Sequence, residues 1–365
     1  MLSHPRARLV LTAIRRRFGV GGMQPMDMEK LKRLRGRYAD RGAFDGDDPV
    51  LLRAARDVQT GDGRRSLPYS GVPTFLGLPH ATSLEGLDIA VVGVPMDLGV
   101  SNRAGARFGP RAVRTIERIG PYHPTFRGVP KGHARAADVG DVGFRSRYDL
   151  AQSIKDIEEY YLALRARGVR PLSVGGDHSI TYPILRALGK DAPLGLVHID
   201  AHCDTMGAYD DTKFHHGGPF RLAVLDGVLD PDRTIQIGIR GAANMFWEFS
   251  HASGMTVIYM EDFMRMGVTA VIDKAREVVG DLPIYVSVDV DGFDPVFAPG
   301  TGTPEPGGLS SREGLALLRG LRGLKIVGAD VVEVAPQYDA TTNTSQLAAQ
   351  ILFEEFALMA LGEAE

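Results

Sequence analysis

The chain has 365 residues, of which 44% are hydrophobic and 24% charged, a composition ordinary for a globular protein with a large core. Its formal net charge of -3 disfavours nucleic acid or an anionic membrane as the main partner. No apolar run approaches the ~20 residues that span a bilayer, and a single cysteine, Cys203, excludes an internal disulfide and suits a reducing cytoplasm.

The first 22 residues contain five arginines and no acidic residue. This composition is compatible with a transit peptide. It also fits an over-extended start, because Met23, Met26 and Met28 follow closely, or a basic tail that packs on a neighbouring subunit. The predicted localisation is therefore cytoplasmic, with mitochondrial targeting as an alternative.

The remaining chain divides into an irregular start and a regular body. Residues 27–60 carry helical patterning, and residues 61–84 form a linker punctuated by Gly, Pro and Ser. From Leu87 onward, short apolar runs alternate with amphipathic segments. We therefore predict an N-terminal extension and linker over residues 1–84 and one catalytic domain over residues 85–365.

The apolar runs rich in Val and Ile are predicted strands, and the amphipathic segments are predicted helices. The strands are Asp88–Val94, Pro171–Val174, Leu194–Asp200, Thr234–Ile239, Thr256–Met260, Ile284–Asp291 and Ile326–Val334. The helices are Leu150–Arg167, capped by Asp149 and stopped by Gly168, then Val268–Val279, Arg312–Leu321 and Ser345–Leu361. Strand–helix alternation predicts an α/β fold with a parallel sheet, whose ligands bind beyond the carboxyl ends of the strands.

Metal-binding side chains follow three of these strands. They are His178, then Asp200, His202 and Asp204, and finally Asp289 and Asp291. Each motif alone is weak, because a histidine near a Gly pair is usually a turn residue and D-x-D also occurs at solvated strand ends. Together, each directly after an apolar run, they indicate a site.

The spacing within these motifs suggests that the side chains converge. In an extended chain, residues at i, i+2 and i+4 point to one side, so Asp200, His202 and Asp204 are expected to face together. Four carboxylates on one surface repel one another unless cations lie between them, and two divalent ions satisfy that need. Oxygen-rich ligands with some imidazole suit Mn²⁺, with Ni²⁺ as an alternative. Cys203 is expected to point away and pack in the core.

Longer motifs extend this pattern. They are GGDHS at 175–179, DAHCD at 200–204, HGGPF at 216–220, SVDVDGFDPVFAPGTGTPEPGGLS at 287–310 and VVEVAPQYD at 331–339. Over residues 85 to 361 the chain resembles the ureohydrolases, the family of arginase and agmatinase. The segment GVPMDLGVSNRAGARFGPRAVR at 93–114 is similar to the agmatinase-type branch.

The resemblance implies a fold, a reaction and a set of roles. The fold is a three-layer α/β/α sandwich around a mainly parallel sheet of about eight strands, in trimers or hexamers. The reaction is attack of metal-bound hydroxide on a guanidino compound, which yields urea and an amine. One ion is held by His178, Asp200, Asp204 and Asp289, and the other by His202, Asp200, Asp289 and Asp291. By the resemblance, His216 shuttles protons and Glu333 accepts hydrogen bonds from the guanidinium. On chemical grounds Asp204, next to the hydroxide, can relay its proton to the departing amine nitrogen.

The sequence departs from arginases after the D-A-H-x-D motif. Met206 stands where an asparagine that holds the amino acid's carboxylate is expected, which disfavours arginine as the substrate. Three alternatives are open for the charges that follow. Asp210 and Asp211 can bind the ammonium of agmatine, Lys213 can bind the carboxylate of a guanidino acid, or all three side chains are simply solvated. A formimino-type C–N hydrolase and a weakly active partner subunit of a mixed oligomer stay open as alternatives.

The first prediction concerns the bridging carboxylate. Asp200→Asn should lower the metal content and abolish turnover, because the amide carries no charge toward either ion. Elemental analysis of purified protein measures the metal, and a content of one ion or none in active wild-type protein would refute the two-metal hypothesis.

Overall fold

The computed structural model describes residues 27–41, 47–57, 69–117 and 119–362. The chain divides into two compact units, Met1–Ala55 and Arg56–Glu365. The predicted helical patterning near the N-terminus is confirmed by helices at Met28–Tyr38 and Pro49–Asp57. The Arg-rich start, the end of the helical segment at residues 58–60 and residues 61–68 of the linker lie outside the described residues. The boundary between residues 84 and 85 stays a prediction.

The second unit is built on one eight-stranded sheet. Its strands are β1 (Ile89–Val94), β2 (Ala136–Asp141), β3 (Arg170–Gly175), β4 (Leu194–Ile199), β5 (Leu229–Ile239), β6 (Thr256–Tyr259), β7 (Ile284–Asp289) and β8 (Ile326–Val332). Their order is β2-β1-β3-β8-β7-β4-β5-β6, and every pair is parallel. The predicted α/β fold with a parallel sheet of about eight strands is confirmed.

Helices cover both faces of this sheet. In the second unit's described residues they are Gly109–Arg114, Leu150–Ala166, Thr181–Leu188, Pro219–Leu225, Glu248–Ser253, Met260–Val279, Ser311–Gly320 and Asn343–Leu361. None of the described helices combines the length and hydrophobicity needed to cross a bilayer.

Side chains of one strand pack on opposite sides of the sheet. Ile89 and Val91 of β1 belong to one apolar cluster, whereas Ala90, Val92 and Val94 belong to the other. This is why the strand is a continuous apolar run, with no alternation between apolar and polar residues.

The helix ends follow the sequence where capping residues are present. Asp149 caps Leu150–Ala166 by accepting from the Gln152 N–H, as predicted. Ser310 and Glu313 form a reciprocal capping box at the start of Ser311–Gly320.

Several elements were missed or misplaced. The edge strand β2 has the sequence AADVGD, with one β-branched residue and two acids, so its pairing with β1 overrides a poor local preference. The helix predicted from Val268 begins at Met260 and continues through a kink at Gly267, whose φ is +78°. The four helices that were missed have eight residues or fewer, too short for a clear 3.6-residue period.

One glycine connects the fold to the predicted metal ligands. Gly238, near the end of β5, has φ of +103°, and a Cβ there would lie 2.8 Å from the main-chain oxygen of Asp200. Only glycine combines this conformation with so close an approach.

We therefore expect Gly238→Ala to destabilise the protein by about 1–3 kcal/mol and to lower its metal content, because the added methyl group displaces the main chain of Asp200. Denaturant unfolding and elemental analysis measure the two effects. Gly143→Ala is the matched control, since a Cβ at Gly143 meets nothing within 4 Å. Equal behaviour of the two variants would contradict the prediction.

Candidate metal centre

The four central strands deliver the predicted site residues to one edge of the sheet. β3, β8, β7 and β4 are consecutive neighbours, and all run parallel. His178 lies just after β3, Asp200 directly after β4, Asp289 at the end of β7 and Glu333 directly after β8. Their meeting is therefore a consequence of strand order.

The first group of ligands surrounds one nitrogen atom. His178 Nδ1 lies 3.1 Å from Asp200 Oδ2, 2.9 Å from Asp204 Oδ2 and 3.4 Å from Asp289 Oδ2. This nitrogen is buried and has no hydrogen-bond partner among the described residues. A buried imidazole nitrogen without a partner, facing three carboxylates, fits a divalent metal ion.

A second group shares one residue with the first. His202 Nδ1 lies 3.2 Å from Asp291 Oδ2 and 3.5 Å from Asp200 Oδ1. Asp200 therefore presents Oδ2 to His178 and Oδ1 to His202, so it would serve both ligand groups if metal ions bound there. The six predicted ligands come together in the structure, and their individual roles stay predictions.

Burial makes this concentration of negative charge unfavourable without cations. Burial and the charge of Asp200 raise the pKa of Asp291 to about 6. Burial, together with Asp291 and Asp200, raises the pKa of Asp289 well above its usual range. Cations at the two groups would offset both effects.

The predicted side chains converge, but the extended chain that was expected to bring them together is not present. β4 ends at Ile199, so Asp200 and His202 lie in bends, and Asp204 lies in irregular chain with a left-handed φ of +51°. Asp291 lies in the 3₁₀ turn Val290–Gly292. Turns after the strands, rather than an extended chain, aim these side chains.

A chain of buried hydrogen bonds holds His178 from behind. His178 Nε2 lies 2.8 Å from Ser287 Oγ, which donates to Asp330 Oδ1 at 2.6 Å. Thr181 Oγ1 and Tyr285 Oη donate to the other oxygen of Asp330. Because the Ser287 hydroxyl donates to Asp330, it accepts the proton on Nε2, so in the neutral imidazole Nδ1 is the nitrogen without a proton and the one that would face a metal ion.

Sequence reasoning missed this chain and also missed His198. His198 Nε2 lies 2.7 Å from Asp200 Oδ2, and its side chain belongs to the same potential ligand group as His178, Asp200 and Asp204. His198 lies two positions before Asp200, so the alternation applied to the D-x-H-x-D motif would have included it. The same alternation places Ser287 two positions before Asp289, whereas for Asp330 the local sequence carries no comparable signal.

His216 connects the cavity to Glu333. Its Nδ1 lies 2.9 Å from Glu333 Oε1, and its Nε2 lies 2.6 Å from Ser101 Oγ, a partner that the sequence did not indicate. Burial opposes the imidazolium, but the Glu333 carboxylate outweighs it and raises the pKa of His216 to about 9. Glu333 has a left-handed φ of +64°, is 1% exposed, and has no hydrogen-bond partner for Oε2 among the described residues.

A cavity of about 200 Å³ opens over the metal ligands. Its wall combines His202, Asp204, Asp289 and Asp291 with Ser101, His216, Thr205, Met206, Gly217, Ala243, Phe246, Trp247, Thr303 and Cys203. Cys203 is buried against Ile239 and Trp247, as expected of a core residue, yet it also lines this cavity. Burial raises the pKa of its thiol to about 12, which makes it a poor nucleophile.

The charges proposed to select the substrate tail lie elsewhere. Asp210 and Asp211 occupy an exposed turn closed by hydrogen bonds between Tyr209 and Thr212, and Lys213 is exposed beside it. Of this loop only Thr205 and Met206 line the cavity. Of the alternatives left open for these three charges, the structure favours simple solvation, because the turn directs them to solvent.

Two His/Asp groups that share Asp200, beyond the carboxyl edge of a parallel α/β sheet, fit a binuclear metal centre. The arginase family profile matches residues 87–357, and the chain belongs to this family.

Three relatives illustrate the similarity. The chain is 48% identical to a guanidinopropionase from Pseudomonas aeruginosa, over 80% of this chain and 93% of that protein. It is 46% identical to a mitochondrial agmatinase from Gallus gallus, over 79% and 86% of the two chains. The solved structure of proclavaminate amidinohydrolase from Streptomyces clavuligerus superposes with a TM-score of 0.76 at 40% identity, covering 81% of this chain and 100% of that one.

The hydrogen bonds behind His178 generate a prediction about metal affinity. Ser287→Ala removes the acceptor for His178 Nε2, and we expect metal affinity to fall about 10–100-fold. Competition with a chromogenic chelator measures it. Thr181→Val is the matched control, because it removes another hydrogen bond to Asp330 but leaves that of His178 intact. Equal affinities of the two variants would show that Ser287 has no special role.

Proposed function

We propose that the chain hydrolyses a guanidino compound to urea and an amine with the help of two divalent metal ions. The observation that carries this proposal is the pair of ligand groups joined by Asp200, one of which surrounds an unpartnered nitrogen of His178. Membership of the arginase family and the names of the relatives support the same reaction.

The donor set also suggests which metal binds. Four carboxylates and two imidazoles suit Mn²⁺, and Ni²⁺ is the alternative. In this proposal His178, Asp200, Asp204 and Asp289 hold one ion, and His202, Asp200, Asp289 and Asp291 hold the other. When bound, such ions lower the pKa of water toward neutrality and so supply a nucleophile at neutral pH.

The protein's own groups have separate tasks. A guanidinium is planar and carries several N–H donors, and Glu333 is the carboxylate proposed to accept from them. Its Oε2 has no hydrogen-bond partner among the described residues, and Glu333 contacts His216 of the cavity wall without lining the cavity itself. His216 lines the cavity and carries a proton at neutral pH, which it can deliver to the departing amine nitrogen. Asp204 can relay the nucleophile's proton toward the same atom.

Two further properties belong to this proposal. Formation of a homotrimer or homohexamer is expected from the family resemblance, and a cytoplasmic location from the composition. The formimino-type alternative has weaker support, since the solved formimidoylglutamase that resembles this chain is 24% identical and indicates the fold alone.

Urea release tests the proposal. Protein loaded with Mn²⁺ or Ni²⁺ should release urea from agmatine or from guanidino acids, and L-arginine should be the poorer substrate. The reason is that Met206 lines the cavity in place of a polar residue that could hold the α-carboxylate. Activity on formimino compounds alone would refute the proposed reaction, and a strong preference for L-arginine would refute the argument from Met206.

A further inference from the structure

A second cavity, of about 280 Å³, adjoins the one over the metal ligands. Met206 and Phe246 line both cavities, so these two side chains form their common boundary. The second cavity is otherwise lined mainly by Gly207, Arg221, Phe249 and Glu248. When the guanidinium of a substrate lies at the proposed metal ligands, its tail must leave the first cavity. The second cavity is one of the directions in which the tail can extend.

Arg221 is held in place in the second cavity without a partner of opposite charge. Its guanidinium lies over the Phe249 ring at 5.0 Å, and a Cβ at Gly207 would lie 3.3 Å from its Nη1. Glycine at position 207 thus allows the guanidinium to lie close to the main chain. The side chain is half-buried and has no ion-pair partner among the described residues. A cation that is oriented in this way, and partly removed from water, favours an anion.

The first cavity offers little to a cationic tail. Its acidic residues are Asp204, Asp289 and Asp291, all proposed metal ligands. In the second cavity Glu248 is exposed to solvent, whereas Arg221 is half-buried. A charge pair is worth more where water is excluded, so the arginine outweighs the glutamate in selecting a ligand.

We propose that Arg221 forms a carboxylate subsite, so that the preferred substrates are guanidino acids rather than agmatine. This inference rests on the proposed function and deepens it. Relatedness alone leaves the charge of the tail open, because the relatives include both a guanidinopropionase and an agmatinase. Lys213, the other basic candidate, lines neither cavity.

The test compares three tails on one guanidinium: 4-guanidinobutyrate, agmatine and butylguanidine, which carry a negative, a positive and no tail charge. Arg221→Gln should lower kcat/KM for 4-guanidinobutyrate about 10–100-fold, mainly through KM, since the tail contact is the same before and during the reaction. For agmatine kcat/KM should rise, because a repelling cation is removed, and butylguanidine should change least. Arg221→Lys should be intermediate, because it keeps the charge but loses the planar fork.

Lys213→Gln is the control, since it removes an exposed positive charge from the loop that contains Met206 and Gly207. In this variant kcat/KM for all three substrates should equal that of the wild type. An equal loss for all three substrates in Arg221→Gln, or no loss for 4-guanidinobutyrate, would overturn the subsite. If the wild type releases urea from none of the three, the proposed function fails instead. Calorimetric titration of 4-guanidinobutyrate into metal-loaded wild type and Arg221→Gln then decides the subsite, and equal affinities would overturn it.

Discussion

Repulsion among buried carboxylates is the constraint on which the rest of this structure depends. Asp200, Asp204 and Asp289 all approach one imidazole nitrogen of His178, and burial deprives them of the water that would screen their charges. Asp291 adds a fourth negative charge through the group that shares Asp200. Such a cluster is compatible with a folded protein when cations neutralise it, so metal binding and the stability of this sheet edge are coupled.

The fold tolerates this repulsion because the main chain and the hydrogen bonds around the carboxylates hold the ligand side chains in fixed positions. Asp204 and Glu333 both hold left-handed backbone conformations, each of which costs about 1–3 kcal/mol in a residue other than glycine. Behind His178, the hydroxyl of Ser287 and the carboxylate of Asp330 fix the protonated nitrogen of the ring. Strain and hydrogen bonds together keep the ligand atoms in place before any ion binds.

The front of the site is built differently from the back. The residues behind the ligands are fully buried and polar, whereas the cavity wall contains Met206, Phe246 and Trp247. The buried polar residues therefore support the reaction at the proposed metal ligands. The residues beyond Met206 and Phe246 select the tail of the substrate. In this division of labour, a single unpaired cation such as Arg221 changes the choice of substrate without disturbing the metal ligands.

The sequence by itself determined the parallel α/β sheet and indicated six candidate metal ligands, because apolar runs buried on both faces end at or shortly before His178, Asp200 and Asp289. It could not determine β2, whose residues favour a strand only when paired with β1. Nor could it determine the contacts of His216 with Ser101 or of His178 with Ser287, which join positions 115 and 109 residues apart. Local periodicity reports which side chains are buried, but the order β3-β8-β7-β4 and the turns after those strands decide which of them meet. That order is set by packing across the whole sheet, so only the tertiary structure contains it.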